Sequence, residues 1–303
     1  MNKIMIDGGV FPAYADQVDL LCCYIAACIH DIDHSGFTND FLIDTTNALA
    51  LMHNNRSPHE NHHLFMSWTL LNDEKFNFLE NVSPATKKRI RETTIDLVLA
   101  TDMKTHFSVV SQFTAQLRGK DGSTSSTTTG SGSKAAALNL QEGERLLVMQ
   151  MAMKLADMGH LAADRDVHIK WVKRLEEECF RQGDVERSLG LPVSLLMDRR
   201  GTGISASQVG FFDIVALPLV RSFVRVMTRC MPLRVAMEDN YQYWKSQPAE
   251  VPAEDADVSG LNEDSYHYWK LKQMDEDDRQ DEIDESHPGG RQPLVPVPSS
   301  PRT

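Results

Sequence analysis

The run VDLLCCYIAACI at positions 18–29 constrains this chain more than any other stretch. Its apolar residues go almost all the way round a helix, and such a helix has to be buried. At its end come His30, Asp31, Asp33 and His34. Titratable groups at the mouth of a buried helix are costly unless something pairs with them, and one divalent cation is the simplest partner for a mixture of imidazole and carboxylate.

His30 and His34 are one helical turn apart and share a face, with Asp31 about 100° round from His30. Imidazole nitrogen and carboxylate oxygen suit Zn²⁺ or a first-row metal, and carboxylate with water suits Mg²⁺ or Mn²⁺. Asp31 also falls at the carbonyl end of the helix, where the macrodipole opposes an anion and a bound cation would remove the conflict. A helix C-terminus carrying solvated polar residues, stopped by Gly36, accounts for the same letters. Spacing alone leaves both readings open.

Composition narrows the class of protein. With 303 residues and 41% hydrophobic content the chain can bury a sizeable core. Its net charge of −12 disfavours nonspecific binding to nucleic acid or acidic membranes, although much of the acid lies beyond position 248. The five cysteines include no Cys-x-x-Cys pair, and Cys22, Cys23 and Cys28 fall in the apolar helix, which fits reduced thiols in the cytoplasm. No basic leader with an apolar core opens the chain, and residues 18–29 are too few to span a bilayer. The expectation is a cytoplasmic protein with no membrane span and no nucleic-acid partner. Oligomeric state is not legible.

Helical periodicity runs through nearly the whole chain, and no alternating strand stands out. Positions 38–43 and 47–52 read as short helices. Ser57-Pro58-His59-Glu60 has the form of a capping box with proline in the first turn, opening a helix to Leu71. Ser83-Pro84 opens another, running towards Thr101-Asp102. Residues 119–134 are a low-complexity insert read as a flexible loop. Positions 138–156 return to helix, with Leu147, Met151 and Leu155 on one stripe and Met149, Met151 and Met153 read as core filling. Residues 164–180 form an amphipathic helix with Trp171 and Leu175 among its apolar positions, closed by Arg181-Gln182-Gly183-Asp184. Ser205-Ala206-Ser207 could cap the next helix, which meets Pro218, a kink or break. Residues 233–244 finish a domain of 1–245, and 246–303 read as a disordered acidic, proline-rich tail.

Asp31, Asp102 and Asp157 each fall near the C-terminal end of an expected helix. That costs about 0.3–1 kcal/mol apiece if uncompensated, and one positive centre would explain all three.

His-Asp-Ile-Asp-His-Ser-Gly at 30–36, Glu-Asn-His-His at 60–63, Ala-Thr-Asp-Met at 100–103, Phe-Arg-Gln-Gly-Asp at 180–184 and Ser-Gln-Val-Gly-Phe at 207–211 follow in that order. Together they closely resemble the catalytic domain of the class I cyclic-nucleotide phosphodiesterases, over residues 14–245. The resemblance implies an all-α, compact multi-helix domain of the HD-like phosphodiesterase kind. It also implies a pair of divalent ions, Zn²⁺ and Mg²⁺ (or Mn²⁺), at the bottom of a pocket for cAMP or cGMP. His30, Asp31 and Asp157 occupy metal-ligand positions, Asp31 being the carboxylate that touches both ions. His34, Glu60 and Thr101 match residues of the water shell around the metals, with His63 and Asp102 as neighbours. Gln208 matches the purine-reading glutamine, Phe211 the ring that stacks on the base, and Leu175 the opposite apolar jaw. A carboxamide offers one donor and one acceptor edge, so it can serve adenine or, flipped, guanine. His160 resembles the residue found in dual-specificity members, and Trp171 is read as structural. The implied reaction is hydrolysis of the 3′ phosphoester bond to a 5′-monophosphate, which terminates cyclic-nucleotide signalling.

There is one departure. The family's upstream His-Asn-x-x-His segment, which supplies a fourth metal ligand and the general acid, is not found before residues 18–29. The similar letters at 53–59 have one residue too many and lie on the wrong side of the metal helix. The expectation is therefore an N-terminally incomplete copy with poor or absent turnover, the alternative being a catalytically impaired nucleotide- or partner-binding module.

Overall fold

The computed structural model describes residues 1–117, 140–201 and 204–248. The low-complexity insert and nearly all of the acidic tail lie outside them. Among the described residues every regular element is helical. None of those helices is long and apolar enough to cross a membrane.

A π-helical turn (Lys3–Asp7) and a short α1 (Val10–Ala13) lead into α2 (Gln17–Ile29). Asp16 and Asp19 form a reciprocal capping box at its start, and Arg89 donates to both carboxylates at 2.7 and 2.6 Å. Buried Asp19 thus keeps full hydrogen bonding. The short helices follow as α3 (Asn39–Asp44) and α4 (Ala48–Met52), capped by Thr38 and Asn47. After them come α5 (Pro58–Leu71), α6 (Pro84–Leu99), a 3₁₀ turn at Met103–Thr105 and α7 (His106–Leu117).

The second half begins with α8 (Glu142–Asp157), a 3₁₀ turn (Gly159–Ala162) and α9 (Arg165–Ser188). It continues through α10 (Ile204–Phe211), a π-helical turn (Phe212–Ala216) and α11 (Leu217–Val226). A last 3₁₀ turn (Thr228–Cys230) precedes α12 (Met231–Ser246). The kink expected at Pro218 takes the form of that π turn. A widened turn relieves the clash between the proline ring and the carbonyl four residues back, so the chain stays helical through the proline.

The core is built round α8, whose Leu147, Val148, Met149, Met151, Ala152, Met153 and Leu155 are all buried. It packs against α2, α6, α7 and α11. The methionines fill core as expected.

Several expectations need correction. α2 is not buried all round, since Cys22 and Cys23 are buried but Cys28 is exposed. α8 starts at Glu142, where Gln141 and Glu144 cap it. Ser205 and Ser207 lie within α10. Trp171 is 47% exposed and packs under the Arg174 guanidinium instead of entering the core.

Gln182-Gly183 does not close α9, which runs on to Ser188. Gln182 is buried and bonds Thr38 through both ends of its amide, tying α9 to the start of α3. Buried Glu186 accepts from the backbone N–H and the hydroxyl of Ser194 at 2.7 Å each. These bonds draw the segment after α9 back onto the helix, and at Gly183 the approach is closest. A Cβ there would sit 1.9 Å from the Met197 carbonyl oxygen. Gly183→Ala is expected to cost about 1–3 kcal/mol in a urea unfolding titration, because backbone must move to admit the methyl.

Candidate metal centre and nucleotide site

α2 ends at Ile29 with His30 as its C-cap, and the chain turns so that Asp31 follows immediately. The Nδ1–H of His30 donates to the Ala27 carbonyl at 3.1 Å, because a carbonyl can only accept. Its Nε2 then faces two carboxylates, Asp157 Oδ1 at 3.3 Å and Asp31 Oδ2 at 3.4 Å. Asp157 arrives as the last residue of α8. One ligand atom from each of these three residues lies within 4.8 Å of the others. A neutral imidazole lone pair aimed at two carboxylates is repulsive, so the site calls for a second proton or a cation. Burial opposes charge on His30, yet the hydrogen bond and charge of Asp157, with Asp31, outweigh it and raise its pKa. The donor set of one imidazole and two carboxylates fits a divalent ion. The carbonyl bond on the far ring nitrogen holds Nε2 in place for it.

Ser57 does not cap α5. It sits in the left-handed region at φ 42° and makes no cap hydrogen bond, while its hydroxyl donates to Asp102 Oδ2 at 2.7 Å. The capping box expected at Ser57–Glu60 is therefore absent. The tertiary partner wins, and Glu60 instead accepts from Asn39 Nδ2 at 2.9 Å. Burial, then the nearby Asp102, push the Glu60 carboxyl up to about 7. Thr101 is half-buried and donates its hydroxyl to the Val98 carbonyl, leaving its lone pairs open.

Two residues escaped the reading of the sequence. Lys154 is 1% exposed and donates to the Asp102 carbonyl at 3.2 Å. Burial pulls its pKa down to about 8 against the pull of Asp157, Asp102 and Glu60. A lysine inside the Met153-Lys154-Leu155 core stripe was the available signal. His59, 2% exposed, stacks its ring on that of His34 with centroids 4.3 Å apart. His34 itself is exposed, and its Nδ1 accepts from the Gly36 N–H. His63 donates to the Ile32 carbonyl at 2.6 Å and presents Nε2 4.0 Å from Asp31.

The expected nucleotide residues come from other helices. Gln208 is half-buried on α10, and its buried Oε1 has no hydrogen-bond partner among the described residues. An orphaned carboxamide oxygen is costly unless a ligand or water completes it. Phe211, at the end of α10, packs partly on the main core, whereas Leu175 stands 42% exposed on α9. His160 accepts at Nδ1 from His168, which accepts in turn from the Trp244 indole at 2.7 Å. That chain fixes the His160 tautomer with its proton on Nε2. Elsewhere, a cleft of about 430 Å³ is lined by Arg89 and Arg145, but both already face Asp19.

Comparison with known proteins gives the same direction. A sequence profile described as 3′5′-cyclic nucleotide phosphodiesterase matches residues 1–237. The chain is 32% identical over 257 residues to "Probable 3′,5′-cyclic-AMP phosphodiesterase pde-4" of Caenorhabditis elegans, covering 83% of this chain and 36% of that protein. It is 34% identical over 242 residues to "Probable 3′,5′-cyclic phosphodiesterase pde-3" of the same organism, covering 76% and 32%. To the "cGMP-inhibited 3′,5′-cyclic phosphodiesterase 3A" of Rattus norvegicus it is 37% identical over 216 residues, covering 71% and 18%. The chain thus spans about a third or less of the length of these relatives. With its five motifs in order and the profile running across most of the described helices, the chain belongs to the 3′5′-cyclic nucleotide phosphodiesterase family.

Proposed function

We propose that this protein hydrolyses the 3′ phosphoester bond of cAMP, cGMP or both to the 5′-monophosphate in the cytoplasm, using Zn²⁺ and Mg²⁺ (or Mn²⁺) held by His30, Asp31 and Asp157. The convergence of those three ligand atoms from the ends of α2 and α8 is the observation that carries the reading. When bound, the two cations supply Lewis-acid polarisation of the phosphate and a lowered pKa for the attacking water.

The rest follows from side chains. Glu60, its carboxylate held on one side by the Asn39 amide, can accept a hydrogen bond from the attacking water at its other oxygen and orient it. His34 and Thr101 are the remaining polar groups assigned to this water shell. Lys154 is not assigned contact with substrate; its buried charge offsets part of the repulsion among Asp102, Asp157 and Glu60. Gln208 would spend its unpartnered Oε1 on the exocyclic amine of adenine, or on guanine after a flip. Phe211 and Leu175 would clasp the base, and His160 would line the pocket with an Nε2–H donor.

The test is turnover by the 303-residue chain supplied with Zn²⁺ and Mg²⁺, measured as 5′-monophosphate released from cAMP and from cGMP. Absence of product from both would sink the proposal. Gln208→Ala is expected to lower kcat/KM by about 10- to 100-fold, the worth of a buried hydrogen bond pair, mostly through KM.

A further inference from the structure

Next to the proposed centre lies a set of hydrogen bonds whose direction can be read atom by atom. The backbone N–H of His59 points at the Asn39 side chain at 3.1 Å. A backbone N–H is always a donor, so the atom it meets is the carbonyl oxygen of Asn39, which settles the amide's orientation. Two consequences follow. The other end of the amide is an NH₂ group, and it donates to Glu60 Oε2 at 2.9 Å. The His59 Nδ1, 2.9 Å from the same Asn39 oxygen, must carry a proton. Its Nε2 is then an acceptor and takes the hydroxyl proton of Ser35 at 2.8 Å.

We infer that Ser35, His59 and Asn39 form a one-way relay of hydrogen bonds that fixes the Glu60 carboxylate, making Asn39 a positioning residue for the hydrolytic reaction. The inference rests on the function proposed above for its link to catalysis. The relay has a rigid anchor, because Thr38, next to Asn39, is clamped by both ends of the buried Gln182 amide. It also explains why Glu60 leaves the helix cap that its sequence position offers. Glu60 has acidic neighbours in Asp102 and Asp31 and a cationic one in Lys154; besides the hydrogen bond from its own backbone N–H, the N–H of Asn39 is the neutral side-chain contact that sets its direction. Burial, then the neighbouring histidines His34, His63 and His62, hold the His59 pKa down to about 4, so the ring stays neutral and keeps one proton for Asn39.

Nitrogen-15 NMR of the histidine-labelled, metal-free full chain tests the relay without reference to turnover. The His59 ring is expected to show a single neutral tautomer protonated at Nδ1, and in Asn39→Ala to lose that preference and populate the Nε2-protonated form. A wild-type ring that already exchanges between tautomers overturns the inference.

Kinetics with Zn²⁺ and Mg²⁺ test its role in the reaction. Asn39→Ala is expected to lower kcat by about 10- to 100-fold with little change in KM, as for partners that orient a reactive group. Asn39→Asp keeps the shape but sets a second carboxylate against Glu60, and should fall at least as far. His59→Leu retains the backbone N–H and should lose less. Wild-type kcat in Asn39→Asp overturns the positioning role. If wild-type protein turns over neither nucleotide, the hydrolase reading fails while the tautomer measurement still decides whether the relay exists.

Discussion

Asp157→Asn is expected to reduce turnover at least about 100-fold and to abolish tight divalent-metal binding, while leaving the fold's stability within about 1 kcal/mol. The asymmetry comes from where Asp157 sits. It is an exposed residue at the last position of α8, where its negative charge opposes the macrodipole and contributes little to the packing beneath. Its Oδ1 nonetheless faces His30 Nε2 at 3.3 Å and completes the three-atom cluster. An amide of the same shape offers a weaker, neutral oxygen, so the cation loses one of its charges. Removing an outer partner of a metal ligand typically costs 10- to 100-fold, and a ligand itself should cost more. Metal competition with a chelating dye, turnover and urea unfolding, run on one preparation, check all three expectations. Wild-type metal affinity in Asp157→Asn would remove His30, Asp31 and Asp157 as the centre.

How much of this could be read from the letters depends on whether the deciding partner was local. α2 and the His30-Asp31 turn were legible because apolar periodicity and a helix end are short-range properties. The suspicion that Asp31, Asp102 and Asp157 share a cause rested on the same logic of helix ends, and for Asp31 and Asp157 the structure brings the pair to one side of His30. Ser57 went the other way. Its local partner was Glu60, three residues on, but its actual partner is Asp102, 45 residues away, and nothing in the local pattern weighs the two. The end of α9 was misplaced for a related reason. Gln182 and Glu186 look like surface residues of an amphipathic helix until Thr38 and Ser194 bury them. Trp171 failed in the opposite sense, a large ring left on the surface by the way α9 faces. Lys154 is marked only by standing in an apolar stripe and His59 only as a letter in a helix-start pattern, and their partners appear only once α3, α5 and α8 meet.

In acid the metal-free protein is expected to lose stability steeply between pH 6.5 and about 4, at roughly 3 kcal/mol or more per pH unit near the middle of that window. His59, His106 and His160 are each pushed down to about 4, in every case chiefly by burial and further by the neighbouring basic groups His34, Lys154 and His168 respectively. An unfolded histidine titrates near 6.5, so within the window the unfolded chain binds at least about three protons that the folded protein refuses, and His53, His63 and His168, also lowered by burial, add to that number. Their contribution to stability is fully present above pH 6.5 and is lost as pH falls through the folded values. Glu60 acts in the opposite sense. Its carboxyl, raised to about 7 by burial and by Asp102, keeps a proton that the unfolded chain releases above about pH 4.3, so it gains stability as pH falls. At least three protons against one leaves two or more, each worth about 1.4 kcal/mol per pH unit. Lys154, lowered to about 8, is protonated in both states below that pH and adds nothing here. Urea unfolding at pH 7, 6 and 5 measures the slope directly. His106→Leu, at a fully buried position away from the metal cluster, should flatten it by about one proton's worth, whereas a wild-type curve level from pH 6.5 to 4.5 would show that these rings are not held neutral by the fold.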